Sequence, residues 1–495
     1  MIRNLLATSL ATALIAMTTP AHAADGNLTI YSGDFDSVAQ SQGQSGGPGF
    51  ALVERELAFD LKPGDNEISF AGLPPALDAS SVLLNPGSGT SIRGQRFDFA
   101  LAGQDELLRR AIGQVVTVEQ SVGNERQNFT GTLLSTGNGL TLRLADGRIK
   151  VLSSYSSFEL PRLPTGVVNA PTMNWAIHAD RGGRQSFGLN YATAGLAWRA
   201  EYNVNVHGQG KDCRMDLEGA AMVVNRSGAD FNDVMLTLVA GEPNRATGGG
   251  PEMMVMAAAA PRAKMMMADG APQAQASGEY HAYRLPTAGS LPQGSVQRLP
   301  LVNRIVGAAC ERRYETAAQF GGWQPPYPIV DAAYGVNDGE EQAVVATLRF
   351  KNGKSDGLGL PLPGGRVRMF DGRDFLGETT LGHTPANAEV SLAIGKAFDL
   401  GAERKREDFQ LDRNGRSMTE TIVVTLKNAK PAATTVRVNE ALPRWSDWEI
   451  VTSSQPYEKR NARAVSFDVA IPAGGEITLR YTVRYRWAAD VQVPL

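Results

Sequence analysis

Cysteine is almost missing from this chain: Cys213 and Cys310 are the only two among 495 residues. That count excludes a disulfide-dense scaffold and the repeated Cys-x-x-Cys spacing of structural zinc sites. Histidine is nearly as scarce. Beyond His22, only His178, His207, His281 and His383 occur, and none falls in an HExxH or HxH spacing, so no metal centre is read from them. Neither sign of charge is in excess. A formal net charge of -3, from 48 Lys and Arg against 51 Asp and Glu, excludes the basic footprint of a nucleic-acid binder.

Long apolar runs are absent beyond the N-terminus. The nearest approach is MMVMAAAAPRAKMMMADG at 253–270, which Pro261, Arg262 and Lys264 interrupt. A charge at mid-membrane costs about 2.5–3.5 kcal/mol, so two exclude a spanning helix there. Catalytic signatures are missing as well. Gly43-Gln44-Ser45-Gly46-Gly47 matches GxSxG only formally, because no strand precedes it and no helix follows. Gly353-Lys354-Ser355 resembles the end of a phosphate loop, but Leu348 stands where the first glycine belongs. Glu340 and Glu341 are adjacent, and in an extended segment adjacent side chains point opposite ways. No catalytic residue is assigned and no cofactor is implied.

What is present begins with Arg3, the run LLATSLATALIAM at 5–17, and Ala21-His22-Ala23. That order predicts a secretory signal peptide over 1–23, cleaved after Ala23, and a periplasmic or secreted protein. The run is too short to span a bilayer, which takes about 20 apolar residues.

The remainder alternates with the period of two that marks strands. Leu57, Phe59 and Leu61, then a turn at Pro63-Gly64-Asp65-Asn66, then Ile68 and Phe70, predict a strand pair. One short helix follows, with Asp105 as its cap, Leu107, Leu108, Ala111 and Ile112 as its apolar face, and Gly113 as its stop. Short strands with a hairpin signal at Asp146-Gly147 then predict a small SH3/Sm-like barrel or an open sheet. Along 196–206, Trp198, Ala200, Tyr202, Val204 and Val206 share a face. In the final strand, Leu479, Tyr481, Val483, Tyr485 and Trp487 share one face and Arg480, Arg484 and Arg486 the other. The arginine ladder reads as a solvated face opposite acidic neighbours, in preference to an anion contact.

The expected architecture is mainly β, with several β-sandwich (Ig-like) domains, the small barrel and few helices. An N-terminal β domain is expected over 24–112 and the barrel over 113–163. A central sandwich over 164–405 carries a flexible Met/Ala-rich strap at 244–278, and an Ig-like sandwich over 406–495 closes the chain. Cys213 and Cys310 either pair, closing a loop of roughly 100 residues, or remain separate thiols. Met253, Met254, Met256, Met265, Met266 and Met267 read first as part of the strap. A sticky partner surface and a Cu(I) site are the alternatives. Trp198, Tyr202, Tyr280, His281 and Tyr283 could form an aromatic patch for sugar or peptide, although core and rim packing explains them more simply.

NAPTMNW (169–175), YATAGLAWRAEYNV (191–204), NRSGADFNDVMLTLVAGEPN (225–244) and EYHAYRLPTAGSLPQGSVQRLPLV (279–302) together resemble a secreted bacterial family, domain of unknown function 4139. That family overlaps the mucoidy-inhibitor-like proteins, whose coiled-coil insertion this chain lacks. The resemblance implies no catalytic residues. The resulting expectation is an exported envelope protein that binds or scaffolds a protein or glycan partner without catalysis. An envelope hydrolase acting on peptide or glycan, and a methionine-based copper binder, are the alternatives.

Overall fold

The computed structural model describes residues 26–41, 47–98, 103–122, 125–164, 167–168, 170–241, 243–245, 273–318, 325–335 and 340–493. The expected leader at 1–23 and most of the expected strap, including all six of its methionines, lie outside the described residues. The described chain is mainly β: strands make up 62% and helix 5%, in several sheets with two α-helices.

An eight-stranded sheet runs Gln273–Ser277, Tyr280–Arg284, Phe231–Ala240, Gly26–Tyr31, Ala51–Leu61, Gly183–Thr193, Leu83–Asn85, with Gly289–Leu291 also on Phe231–Ala240. A five-stranded central sheet runs Ser295–Ala309, Arg214–Asn225, Leu196–His207, Gly365–Asp371, Asp374–Leu381. Gly64–Ala71, Thr172–Ala179 and Thr90–Asp98 form a three-stranded sheet. A nine-stranded sheet takes in the strands from Glu311–Ala317 to Glu476–Arg486, except the two that complete the central sheet. Its two ends come face to face, with Phe467 stacked on Tyr481 at 5.1 Å between ring centroids. One hydrophobic core runs through these four sheets, from Leu28 to Trp487.

Two corners join the eight-stranded and central sheets. The chain leaves Gly183–Thr193 and enters Leu196–His207 at Gly195, and it leaves Arg214–Asn225 and enters Phe231–Ala240 through Arg226-Ser227-Gly228. The corners touch: Arg226 N–H donates to the Gly195 carbonyl at 2.6 Å. Gly195 has φ +79°, and a Cβ there would lie 2.7 Å from the Arg226 carbonyl carbon. Only glycine combines that conformation with that approach. Buried Asn225 fixes the second corner, its Nδ2 donating to the Ala229 and Leu291 carbonyls and its Oδ1 accepting from Ser227.

The structure corrects several expectations. Ala51–Leu61 and Gly64–Ala71 are not a pair; they lie in different sheets. Asn66 ties the bend by bonding both N–H and carbonyl of Lys62, so the turn redirects the chain between layers. Of the closed barrel and the open sheet expected over 113–163, the open sheet is present, in the order Ser157–Glu159, Val115–Val122, Glu125–Ser135, Leu140–Leu144, Ile149–Leu152, whose outer strands do not meet. It has its own core, which takes in Leu108 and Ala111 of the short helix Gln104–Arg110 and its C-cap. That helix is capped by the Gly103 backbone and not by Asp105, and Ile112 is exposed. A second helix, Phe35–Gln40, falls where only strands were expected; Asp34 caps it by accepting from Ser37 N–H at 3.0 Å. Strands from 26 to 98 pair with strands from 172 to 240, so the 24–112 segment is not a separate sheet. The boundary expected between 405 and 406 falls inside one 24-residue strand, Glu389–Asp412. The strap expected up to 278 ends earlier, because Gln273–Ser277 pairs with Tyr280–Arg284 across a turn at Gly278.

Candidate functional site

The five aromatic and histidine candidates do not form one surface. Trp198, Tyr202 and Tyr283 are buried. Trp198 Nε1–H donates to the Val239 carbonyl at 3.0 Å, and its ring meets the edge of Tyr283 at 6.1 Å. The Tyr202 hydroxyl donates to the Pro363 carbonyl at 2.9 Å and that of Tyr283 to Pro361 at 3.0 Å. The two hydroxyls pin the Pro361–Pro363 segment, one from the central sheet and one from the eight-stranded sheet, and burial pushes both to ionise above the ordinary tyrosine range. Tyr280 is half-buried and His281 exposed.

Cys213 and Cys310 are joined in a disulfide with their Cα atoms 5.0 Å apart. The bond fastens the short 3-10 turn Gly210–Asp212 to the start of strand Glu311–Ala317. Beside it opens a cleft of about 530 Å³, floored by Arg312, Arg313 and Tyr314 and walled by Thr434, Thr435 and Arg437. Two of its arginines are matched within it. Arg313 pairs with Glu311 at 2.7 Å, and Arg437 meets both oxygens of Asp468 at 2.7 Å. The hydrogen bond from Arg437 holds the Asp468 carboxyl below its ordinary range. Arg312 reaches Asp371 at 3.5 Å and keeps a buried Nε with no hydrogen-bond partner among the described residues.

The outer face of the central sheet is a second concentration of polar groups. Strand Leu196–His207 buries its apolar side, and Arg199, Glu201, Asn203, Asn205 and His207 alternate on the other. Arg368 bridges Glu201 at 3.0 Å and Glu378 at 2.9 Å. Asp216 accepts from Arg304 at 2.8 Å and from Gly307 N–H at 3.0 Å, and that arginine bond foremost lowers its pKa. A shallow cavity of about 280 Å³ lies here, lined by Asn203, Asn205, Asp216, Glu218, Arg304 and Phe370. The pattern R-x-E-x-N-x-N-x-H was legible in the sequence, but the expectation drew on the apolar half of the strand alone.

Inside the nine-stranded sheet lies a buried ionic lattice that the sequence reading missed. Arg404 Nε donates to Glu440 Oε2 at 3.0 Å, and the Tyr481 hydroxyl donates to the same oxygen at 2.6 Å. Arg444 Nε donates to Glu420 Oε2 at 2.8 Å, and the Tyr485 hydroxyl donates to Glu420 Oε1 at 3.0 Å. The remaining nitrogens of Arg444 donate to the carbonyls of Ile329, Asp331 and Tyr334, holding that segment down. Burial pushes the Tyr481 and Tyr485 hydroxyls well above their ordinary range. The available signal was Glu420 at core parity between Met418 and Ile422.

The arginine ladder of the last strand is matched by acidic neighbours: Arg480 by Glu407, and Arg484 and Arg486 by Glu449. The four histidines are scattered. His178 bonds Asp65, His207 lies 3.7 Å from Asp216, His383 accepts from Gly364 N–H, and His281 is exposed. Among the described residues, no helix is long and apolar enough to cross a membrane, and no three His, Cys, Asp or Glu converge as metal ligands.

Two family profiles match the chain. One, described as an N-terminal domain of unknown function (DUF4140), covers residues 48–115, and the other, described as a domain of unknown function (DUF4139), covers 187–489. No curated protein and no solved structure matches. With more than half of its length under the second profile, including the central sheet, the cleft and the buried ionic lattice, the chain belongs to the DUF4139 family.

Proposed function

We propose that the protein is an exported component of the cell envelope that binds or scaffolds a partner without catalysing a reaction. The export reading rests on the leader-like residues 1–23 and is supported by the Cys213–Cys310 disulfide, a bond that persists in oxidising compartments. The resemblance to mucoidy-inhibitor-like proteins points the same way.

The observation that carries the binding reading is the character of the cleft beside the disulfide. A hydrolase of glycans needs a carboxylic acid that holds its proton, hence a raised pKa. Of the three carboxylates lining this cleft, Asp468 is doubly bonded to Arg437 and its pKa is lowered instead, Glu311 is paired with Arg313, and Asp212 is the third. Among the described residues lining it there is no histidine and no serine. Paired charges of both signs with two threonine hydroxyls suit recognition of a polar partner surface. The continuous core beneath keeps that surface rigid.

A photoreactive residue placed at Thr435 tests this. In intact cells it should give a discrete covalent adduct, and the same residue at exposed Gln127 on the small sheet should give none. Equal labelling from both positions, or release of peptide or sugar fragments from envelope material by the purified protein, overturns the reading.

A further inference from the structure

One row of side chains crosses the outer face of the central sheet on four adjacent strands. Asp216 stands opposite Asn205, Asn205 opposite Phe370, and Phe370 opposite Phe375. The two phenylalanine rings meet edge to face at 5.6 Å, and Phe375 is 59% exposed. The next row carries Glu218, Asn203, Arg368 and Glu378 in the same order. Planar hydrogen-bonding groups therefore lie directly beside an open aromatic platform, around the 280 Å³ cavity.

The groups keep spare capacity. Asn205 Oδ1 accepts from Gly372 N–H at 3.0 Å, but its Nδ2 has no partner among the described residues. Asn203 Nδ2 reaches Glu218 only at 3.3 Å. Fixed acceptors (Asp216, Glu218), donors (Arg304, Arg368) and amides that do both match a ligand whose every hydroxyl both gives and takes a hydrogen bond. The aromatic edge of the row matches the apolar C–H face of a flat ring. A phosphate-rich ligand is disfavoured by Asp216, Glu218 and Glu378. A peptide strand could not add beside the cavity, because the three inner strands of the row are paired on both sides and only the far strand, Asp374–Leu381, ends the sheet.

We infer that this face is a saccharide-binding site. A pyranose ring stacks on exposed Phe375, beside Phe370, and its hydroxyls are read by Asn205, Asn203 and Asp216. The site is separate from the cleft at Thr435 and does not depend on what that cleft binds.

The test is binding of the purified chain to an array of defined hexose and N-acetylhexosamine oligosaccharides, followed by calorimetric titration of the best binder. At least one saccharide should bind. Phe375→Ala and Asn205→Ala should each weaken it tenfold or more, while Gln127→Ala on the small sheet, which is exposed and outside both sites, leaves it unchanged. Phe375 is exposed and Asn205 lies on the outer face, so both variants should keep the parent circular dichroism and melting temperature. No binding to any saccharide, or binding that neither variant alters, overturns the inference.

Discussion

Tyr481 and Arg404 converge on a single oxygen, Oε2 of Glu440, while the other oxygen of that buried carboxylate has no hydrogen-bond partner among the described residues. The charge of Glu440 thus depends on one guanidinium and one hydroxyl in a place water does not reach. Removing one partner of a buried ion pair costs about 3–5 kcal/mol, because the other is left uncompensated. Glu440→Gln should therefore lower the urea midpoint sharply, and Tyr481→Phe should cost less, about 1–3 kcal/mol. Equal midpoints for Glu440→Gln and the parent would mean that the pair does not stabilise the fold.

Arg444 performs a different task with similar chemistry, because three of its bonds go to the backbone of the Ile329–Tyr334 segment. Arg444→Met should free that segment while the strands around it persist. Hydrogen exchange is the direct readout: amides at 329–334 should lose protection well before those of Ser417–Asn428. Uniform loss of protection would contradict a local role.

Alkaline pH should unfold the protein through its tyrosines. Burial pushes the Tyr191 hydroxyl up to about 12, and those of Tyr202, Tyr481 and Tyr485 well above the ordinary value of 10.0. A raised folded pKa means that stability is full below the unfolded value and is lost as pH rises through the folded one. For Tyr191 alone the loss between pH 10 and 12 is about 2–3 kcal/mol. Tyrosinate absorbance should rise in two stages, the second coinciding with loss of the strand signal in circular dichroism. A single titration of all 12 tyrosines near the ordinary value, with the fold intact, would refute this.

The disulfide spans 97 positions of sequence. Constraining a loop of that size in the unfolded chain is worth about 3–5 kcal/mol. The double variant Cys213→Ala, Cys310→Ala should unfold at correspondingly lower guanidinium, and a reductant should shift the parent but not the variant.

Gly195→Ala addresses the contact between the two corners. It adds a Cβ at φ +79° and 2.7 Å from the Arg226 backbone. The expected cost is about 2 kcal/mol or more, read as a drop in melting temperature. Gly113→Ala, where φ is also positive but nothing lies within 4 Å, should cost less.

Which strands exist was legible from alternation, because burial of one face imposes a period of two on any sheet. Their partners were not legible. Ala51–Leu61 and Gly64–Ala71 look like a hairpin in sequence, yet Asn66 and Gly64 turn the chain into another layer. A local turn signal states that the chain reverses, not which sheet receives it. Whether the small sheet closes into a barrel or stays open was not legible, since alternation within strands carries no information about whether the first and last meet. Trp198, Tyr202 and Tyr283 were identified as notable and proved to be pins, because an aromatic ring looks the same in sequence whether its polar tip meets a ligand or a carbonyl. The ionic lattice went unseen because Glu420 and Arg444 become partners only when the sheet folds its ends together. The saccharide face was half visible: the stripe from Arg199 to His207 lies in one strand, but Phe370 and Phe375 join it from about 160 residues away, through a parallel pairing.

Strand Glu389–Asp412 is long enough to serve two neighbours. Its first part pairs with Glu340–Lys351 and its second with Ser417–Asn428. At about 3.3 Å per residue it is a spar of roughly 80 Å. Tension along it would load the bonds of both ladders in shear, so they would have to rupture together. The nine-stranded sheet should therefore resist a pull along this strand as a unit.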